Sequence, residues 1–400
     1  MRSFRIGSAF GIPLKLDLTF LLVLPLFAWI IGSEVDQWVR MLNAIWGSSM
    51  DAVGLTTGLL PWLLGITAAI GLFAGVVLHE LGHSLVAMRY GYPIDSITLW
   101  ILGGIAQLTE QPEDWRQELF IALAGPVVSV LLGVVCFIGF ALTPAGFDVP
   151  RFLLGYLALV NLSLAAFNML PGFPMDGGRV LRALLARNRP FARATRLAAE
   201  VGKGMALLLG LFGIFNWNLI LIGIAFFIYI GAAGESQRTT MKAAFEGVTV
   251  RDIMTPGDQV ETIGAEDTVS DLLEEMLRGR HTGYPVERDD QIVGMVTLED
   301  AQEVSPIERD AFLVADIMST DLYTIPEYAD AVDALETMQQ QGVGRLLVVD
   351  AAGDMTGLIS RTDLMTAFDI IRSSGAEGQF PELAGRANTM GPSTEPDQGR

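Results

Sequence analysis

The sequence predicts a polytopic α-helical membrane bundle of about six spans, carrying a short re-entrant β segment, followed by a C-terminal α/β module. Three observations predict it: long apolar runs in residues 1–240, a sharp change of charge after them, and a unit that repeats within 248–370. Hydrophobic residues make up 51% of the chain and charged residues only 18%, whereas a soluble globular chain carries about 25% charged residues. Residues 241–400 hold 31 Asp and Glu against 11 Lys and Arg, a net of -20, which leaves +1 for residues 1–240. A net-acidic soluble half without a basic stripe repels phosphate backbones, which excludes nucleic acid as a partner. The single cysteine, Cys136, lies in an apolar run, so it reads as a small buried hydrophobe and no intrachain disulfide is available.

Six runs approach the length of about 20 residues that a helix needs to cross a ~30 Å hydrocarbon core. They lie near Leu16 to Ile31, Leu63 to Ala87, Leu119 to Leu142, Phe152 to Leu170, Leu197 to Phe215 and Leu219 to Ala233. No small-x-small cleavage site follows the first, so it is expected to be a retained helix. The fifth is the weakest, because Glu200 and Lys203 sit in its first turns. Arg2, Arg5, Lys15, Arg89, Arg116, the arginines from Arg179 to Arg196, Arg238 and Lys242 fall on one side of such a bundle, and only Arg40 and Arg151 on the other. By the positive-inside rule both termini and the C-terminal module are expected in the cytoplasm of a multi-pass membrane protein, in the cell membrane. The connection from Gly32 to Leu60, with Trp38 and Trp46, has room for an amphipathic interfacial helix.

Between the second and third runs, Ser96 to Ala106 is rich in strand formers and includes the pair Gly103-Gly104. It is too short to span as a helix. Irregular backbone at membrane depth is tolerated where it is buried in protein or lines a cavity, so a re-entrant hairpin facing a site and a surface hairpin both fit it. In the C-terminal module Val250-Arg251-Asp252-Ile253-Met254 returns as Val314-Ala315-Asp316-Ile317-Met318, and Gly294 to Asp300 returns as Gly357 to Asp363. Each copy joins a helical pattern (Val269, Leu272, Leu273, Met276; Val332, Leu335, Met338) to short β-rich runs. The domains expected are 1–240, 241–372 and an unstructured Gly, Pro, Ser and Glu-rich tail, 373–400.

The chemistry concentrates in two segments. The second run contains His79-Glu80-Leu81-Gly82-His83. At about 100° per residue the two histidines share a helix face and can bind one zinc, with Glu80 alongside to deprotonate a water. Ionisable groups inside a membrane helix cost about 2.5 kcal/mol or more and are functional by default; two of the three histidines in the chain are here. A catalytic zinc needs a third protein ligand and an open position. Asp176 is the best candidate, presented in Asn168-Met169-Leu170-Pro171-Gly172-Phe173-Pro174-Met175-Asp176-Gly177-Gly178, where two prolines break the fourth span. An N-cap on the helix beginning near Gly177 is the competing reading of Asp176.

The complete H-E-x-x-H and N-x-x-P-x-x-P-x-D-G elements, with Gly7 to Pro13, Gly103-Gly104 and Ala124-Gly125-Pro126, make residues 1–240 similar to the site-2 protease family of intramembrane metalloproteases. The resemblance implies that His79, His83 and Asp176 bind one Zn2+, that Glu80 is the general base, and that Asn168 sits at the active site. Its amide would donate to the oxyanion, or simply close the helix terminus. The resemblance further implies cleavage of single-span membrane proteins within the lipid bilayer. The repeat resembles a pair of CBS domains, which bind adenine nucleotides (ATP, ADP or AMP) between copies and often dimerise. By that resemblance Asp300 and Asp363 hold ribose hydroxyls and Thr297 and Ser360 the phosphate; caps on the following helices account for Asp300 and Asp363 equally well. His281 is expected to be a surface or cleft residue. A zinc metalloendopeptidase modulated by nucleotide is the leading function. A CBS-regulated transporter would spread ionisable residues along a pathway, and a non-catalytic binding member of the family would lack Glu80.

Overall fold

Backbone groups in hydrocarbon must find their partners within their own segment, and the first half of the chain satisfies this with long apolar helices. The computed structural model describes residues 3–100, 103–108, 112 and 114–374. The chain divides into two units, Met1–Thr239 and Thr240–Arg400.

The first unit opens with the hairpin β1 (Ser3–Ala9) and β2 (Ile12–Asp17), joined by Phe10 and Gly11, both at positive φ, the geometry that suits a two-residue hairpin turn. Then come α1 (Phe20–Ser33), α2 (Val35–Trp46), the single turn α3 (Ala52–Leu55) and α4 (Leu60–Arg89). Next are β3 (Ile94–Trp100), β4 (Gly103–Leu108), α5 (Trp115–Leu142), α6 (Asp148–Asn168), α7 (Asp176–Ala186), α8 (Phe191–Phe215) and α9 (Leu219–Ala244). Five of these helices, α4, α5, α6, α8 and α9, are long and apolar enough to cross a membrane, and α1 with α2 makes a sixth, bent by 69°. Leu16 and Asp17 belong to β2 rather than to a helix, and the 14 residues of α1 rise only about 21 Å at 1.5 Å per residue. In α2 the apolar face is spent on the protein: Val35, Val39 and Leu42 are buried with Phe152 and Tyr156, and Trp38 stands edge-on to Tyr156 at 5.0 Å. Glu200 and Lys203 do lie inside a helix, α8, as an ion pair of 2.9 Å.

The glycine-pair segment forms strands. β3 pairs antiparallel with β4, and parallel with β2 at Leu14↔Ile97, giving a four-stranded sheet in the order β1-β2-β3-β4. Ile12 and Ile97 bury against Leu81 of α4, so the sheet rests on the helical turn that bears the two histidines. Ile101 and Leu102 fall outside the described residues.

The second unit contains α10 (Val250–Ile253), β5 (Thr255–Pro256), β6 (Ile263–Gly264), α11 (Val269–Gly279), β7 (Gly283–Arg288), β8 (Gln291–Thr297) and α12 (Leu298–Glu303). The second copy follows as α13 (Val314–Ile317), β9 (Thr324–Pro326), α14 (Ala331–Gln341), β10 (Arg345–Val349), β11 (Met355–Ser360) and α15 (Arg361–Ser374). Its sheets run β6-β7-β8 and β5-β11-β10-β9. β5, which leads the first copy, pairs with β11 of the second, while Ser319, which leads the second, bridges Met295 of the first. Each copy therefore completes the other's sheet, and two separate apolar cores, around Val269, Leu272 and Val296 and around Leu335, Leu346 and Ile359, are held in one body. Residues 375–400, most of the tail expected to be unstructured, lie outside the described residues; Ser373 and Ser374 end α15.

Candidate metal centre

His79 and His83 share one face of α4 and are both buried. Each ring uses Nδ1 for an outer partner: His83 Nδ1 donates to the Ile121 carbonyl at 2.7 Å, and His79 Nδ1 lies 2.9 Å from Ser129 Oγ. With Nδ1 protonated in this way, the Nε2 lone pairs of neutral rings point inward. There they meet Asp176. Its Oδ2 lies 3.1 Å from His79 Nε2 and 3.2 Å from His83 Nε2, and the two Nε2 atoms are 3.2 Å apart.

Three acceptor atoms converging at this spacing repel one another unless a cation sits between them. A tetrahedral zinc with bonds of about 2.0–2.1 Å has ligand–ligand edges of about 3.3 Å, so the triangle fits zinc. These three are the group of His, Cys, Asp and Glu side chains, among the described residues, whose atoms all come within 4.8 Å of one another. Outer hydrogen bonds of the kind made by Ile121 and Ser129 hold ligand rings in one tautomer and orientation.

The surrounding glycines explain how the site is reached. A β-carbon on Gly125 of α5 would fall on both Nε2 atoms. One on Gly177 would meet the Met169 carbonyl at 2.5 Å, and one on Gly178 the Phe173 nitrogen at 2.5 Å. Only glycines after Asp176 therefore let α7 begin against the broken end of α6. The N-cap of α7 is Met175, so Asp176 stands at the first helical position with its carboxylate on the imidazoles, not folded back as a cap. Asn168, the last residue of α6, places Nδ2 3.3 Å from His79 Nε2. Glu80 follows His79 on α4, and Gly104 of β4 lies over it, where a β-carbon would stand 2.6 Å from Glu80 Cγ. The glycine-pair hairpin thus borders the acidic side chain of the motif.

Of the five residues singled out for this site, His79, His83, Asp176 and Asn168 meet at hydrogen-bonding distance, and Glu80 follows His79 on α4 against Gly104. Sequence reasoning missed Ser129, the Ile121 carbonyl, and the ion pair of Glu118 with Arg182. A serine or a carbonyl in an apolar helix carries no local signal, but Glu118 did: it is an acid at the head of a span, fully buried.

In the repeat unit, Thr297 Oγ1 donates to Asp300 Oδ2 at 2.7 Å, and Ser360 Oγ to Asp363 Oδ2 at 2.7 Å. The same carboxylate oxygens accept from the backbone N–H of Thr297 at 2.7 Å and Ser360 at 2.8 Å. Both pairs are thus capping boxes at the heads of α12 and α15. Beside the second box stands Arg345, the cross-strand partner of Ser360. Its Nη2 donates to Thr282 Oγ1 of the first copy at 2.8 Å, in space that Gly283 leaves free. Burial pushes its guanidinium below the ordinary arginine value, with Asp363 opposing. His281 stands edge-on to Tyr284 at 6.0 Å within the repeat unit.

Comparison with known proteins adds the family. Residues 67–147 and 145–209 match the model of peptidase family M50, and residues 250–305 and 314–370 match the CBS domain model. A zinc metalloprotease of Methanocaldococcus jannaschii is 34% identical over 92% of this chain and 97% of its own length. A Mycobacterium tuberculosis protein named Rip3 is 31% identical over 96% of this chain and 98% of its own. The solved site-2 protease from M. jannaschii is 37% identical, covers 59% of this chain and 95% of that one, and has a TM-score of 0.41.

Proposed function

The chain belongs to peptidase family M50, the membrane-embedded site-2 zinc metalloproteases, and carries a tandem CBS pair; from that premise we propose that it cleaves single-span membrane proteins at the centre formed by His79, His83 and Asp176. The observation that carries the reading is the triangle of two Nε2 atoms and one carboxylate oxygen at 3.1–3.2 Å, with Glu80 one residue from a ligand.

In this reading His79, His83 and Asp176 hold the zinc. Bound there, zinc supplies Lewis acidity toward a peptide carbonyl and lowers the pKa of water. Glu80 takes the proton of the attacking water and passes it to the leaving amine, a role that needs a carboxylate beside the metal but not bonded to it. Asn168 donates through Nδ2 to the substrate oxygen as negative charge develops. Ser129 and Ile121 hold the imidazoles still, which keeps reorganisation out of the reaction.

The arginines on one side of the bundle support a cell-membrane protein with both termini and the CBS pair in the cytoplasm, and in this reading the CBS pair is the surface through which a homodimer would form. Adenine nucleotide binds between the CBS copies and modulates cleavage. The free carboxylate oxygen of Asp300 or Asp363 accepts from ribose, while Thr297 and Ser360 cannot donate to phosphate without opening their capping boxes. Arg345 supports the phosphate instead, as a fixed planar donor. A transporter reading is disfavoured by the gathering of His79, Glu80, His83 and Asp176 at one point, and a silent member by the presence of Glu80. The test is cleavage of a single-span substrate by purified protein with bound zinc measured in parallel: proteolysis that persists in E80Q would defeat the proposal.

A further inference from the structure

A guanidinium only 3% exposed inside an apolar bundle is costly unless it is fully paired. Arg182 lies on α7, six residues after Asp176. Its Nε donates to Glu118 Oε1 of α5 at 2.7 Å, and its Nη2 approaches the same oxygen at 2.5 Å. Its Nη1 lies 2.5 Å from Glu235 Oε1 of α9. The rings of Phe173 and Phe191 stand 4.9 and 4.7 Å from Cζ. Phe173 belongs to the broken segment that delivers Asp176.

The placement on α5 matters most. Glu118 is followed three residues later by Ile121, whose carbonyl holds His83, then by Gly125 against both Nε2 atoms, then by Ser129 on His79. One helix face therefore carries both imidazole supports and the anchor of α7. We propose that Arg182 is a positioning residue: its clamp on Glu118 and Glu235 sets α7 against α5, and so sets the reach of Asp176 to the two histidines. This rests on the metal reading of His79, His83 and Asp176. A fork with fixed donor directions can register two carboxylates from different helices, whereas a lysine offers one flexible point charge. Displacement of a ligand by about 1 Å is enough to spoil a preorganised site.

The test measures zinc per full-length protein in detergent against graded chelator, with the melting temperature of the metal-free protein alongside. R182M is expected to weaken zinc retention about 10- to 100-fold, the usual cost of losing support behind a ligand, and R182K to recover only part of it. If Arg182 acts through Asp176, R182M adds less than about twofold once D176A is present, because coupled sites are not additive. Should R182M fail to fold, R182M/E118Q/E235Q removes the buried charges together and carries the same prediction. Wild-type retention in either variant, full rescue by R182K, or an equal loss with and without Asp176 overturns the proposal. Full zinc in D176A overturns the metal reading beneath it.

Discussion

A β-carbon placed on Gly125 would stand 2.7 Å from Nε2 of His79 and closer still to Nε2 of His83. The glycine in the middle of α5 is therefore a condition of the metal site and a burden on the helix, since glycine costs about 0.5–1 kcal/mol against alanine in a helix interior.

That opposition gives the first prediction. G125A should lower zinc affinity by about tenfold or more, the scale set by disturbed ligand orientation, and should not raise the melting temperature of the metal-free protein, because crowding the buried imidazoles costs about 1–3 kcal/mol against the helix gain of about 0.5–1 kcal/mol. Metal titration with differential scanning on the same sample checks it. Unchanged zinc affinity would mean that the metal lies elsewhere.

Loss of a ligand and loss of the base should separate. H79A and D176A are expected to drop bound zinc well below one per chain, whereas E80Q keeps it and loses cleavage by about a hundredfold or more, the scale of general-base catalysis. Metal analysis and a gel assay on a single-span substrate distinguish the two classes. Stoichiometric zinc in D176A would remove Asp176 from the ligand set.

The CBS carboxylates should show two effects and Arg345 one. Asp300 and Asp363 are the third-position members of the capping boxes that Thr297 and Ser360 begin, so D300A combined with D363A should lower the stability of the CBS unit by breaking both boxes as well as weaken ATP binding. R345A leaves both boxes intact and should weaken ATP with little change in melting. Calorimetry on the full-length protein reads both. Equal ATP affinity in R345A and wild type would take phosphate away from this cleft.

Topology is checked directly. A reporter fused after Ala233, or cysteine labelling from either side of the membrane at Arg251→Cys, should report the cytoplasm. An external signal would reverse the orientation drawn from the arginines.

How much of this was legible beforehand follows from how far apart the cooperating groups lie in the chain. His79 and His83 could be read as a pair because a helix repeats every 3.6 residues, so local spacing alone places them together. The CBS repeat was legible for a similar reason: the same apolar period and turn recur in two copies. Asp176 was the best candidate, since two prolines and two glycines marked an irregular presentation, with a helix cap as the competing reading. The first apolar run looked like a full span, yet its leading residues pair with a strand about 80 positions on, at Leu16↔Leu99, a contact no local pattern announces. Arg182 counted as one more cytoplasmic charge until its burial between Glu118 and Glu235 became visible. Thr297 and Ser360 read as phosphate contacts and Asp300 and Asp363 as ligand contacts or caps alike, and the hydroxyl hydrogens turned out to be spent on the carboxylates.

The sequence by itself determined the membrane character, the two-part architecture, the pair of histidines and the neighbouring acid, because composition and helical period are properties of contiguous residues. Only the tertiary structure shows Asp176 meeting His79 from 97 residues away, α5 giving both rings their outer partners, and a buried arginine of α7 paired with Glu118 of α5. Those relations arise when helices distant in the chain pack face to face, and close packing, unlike periodicity, leaves no local mark.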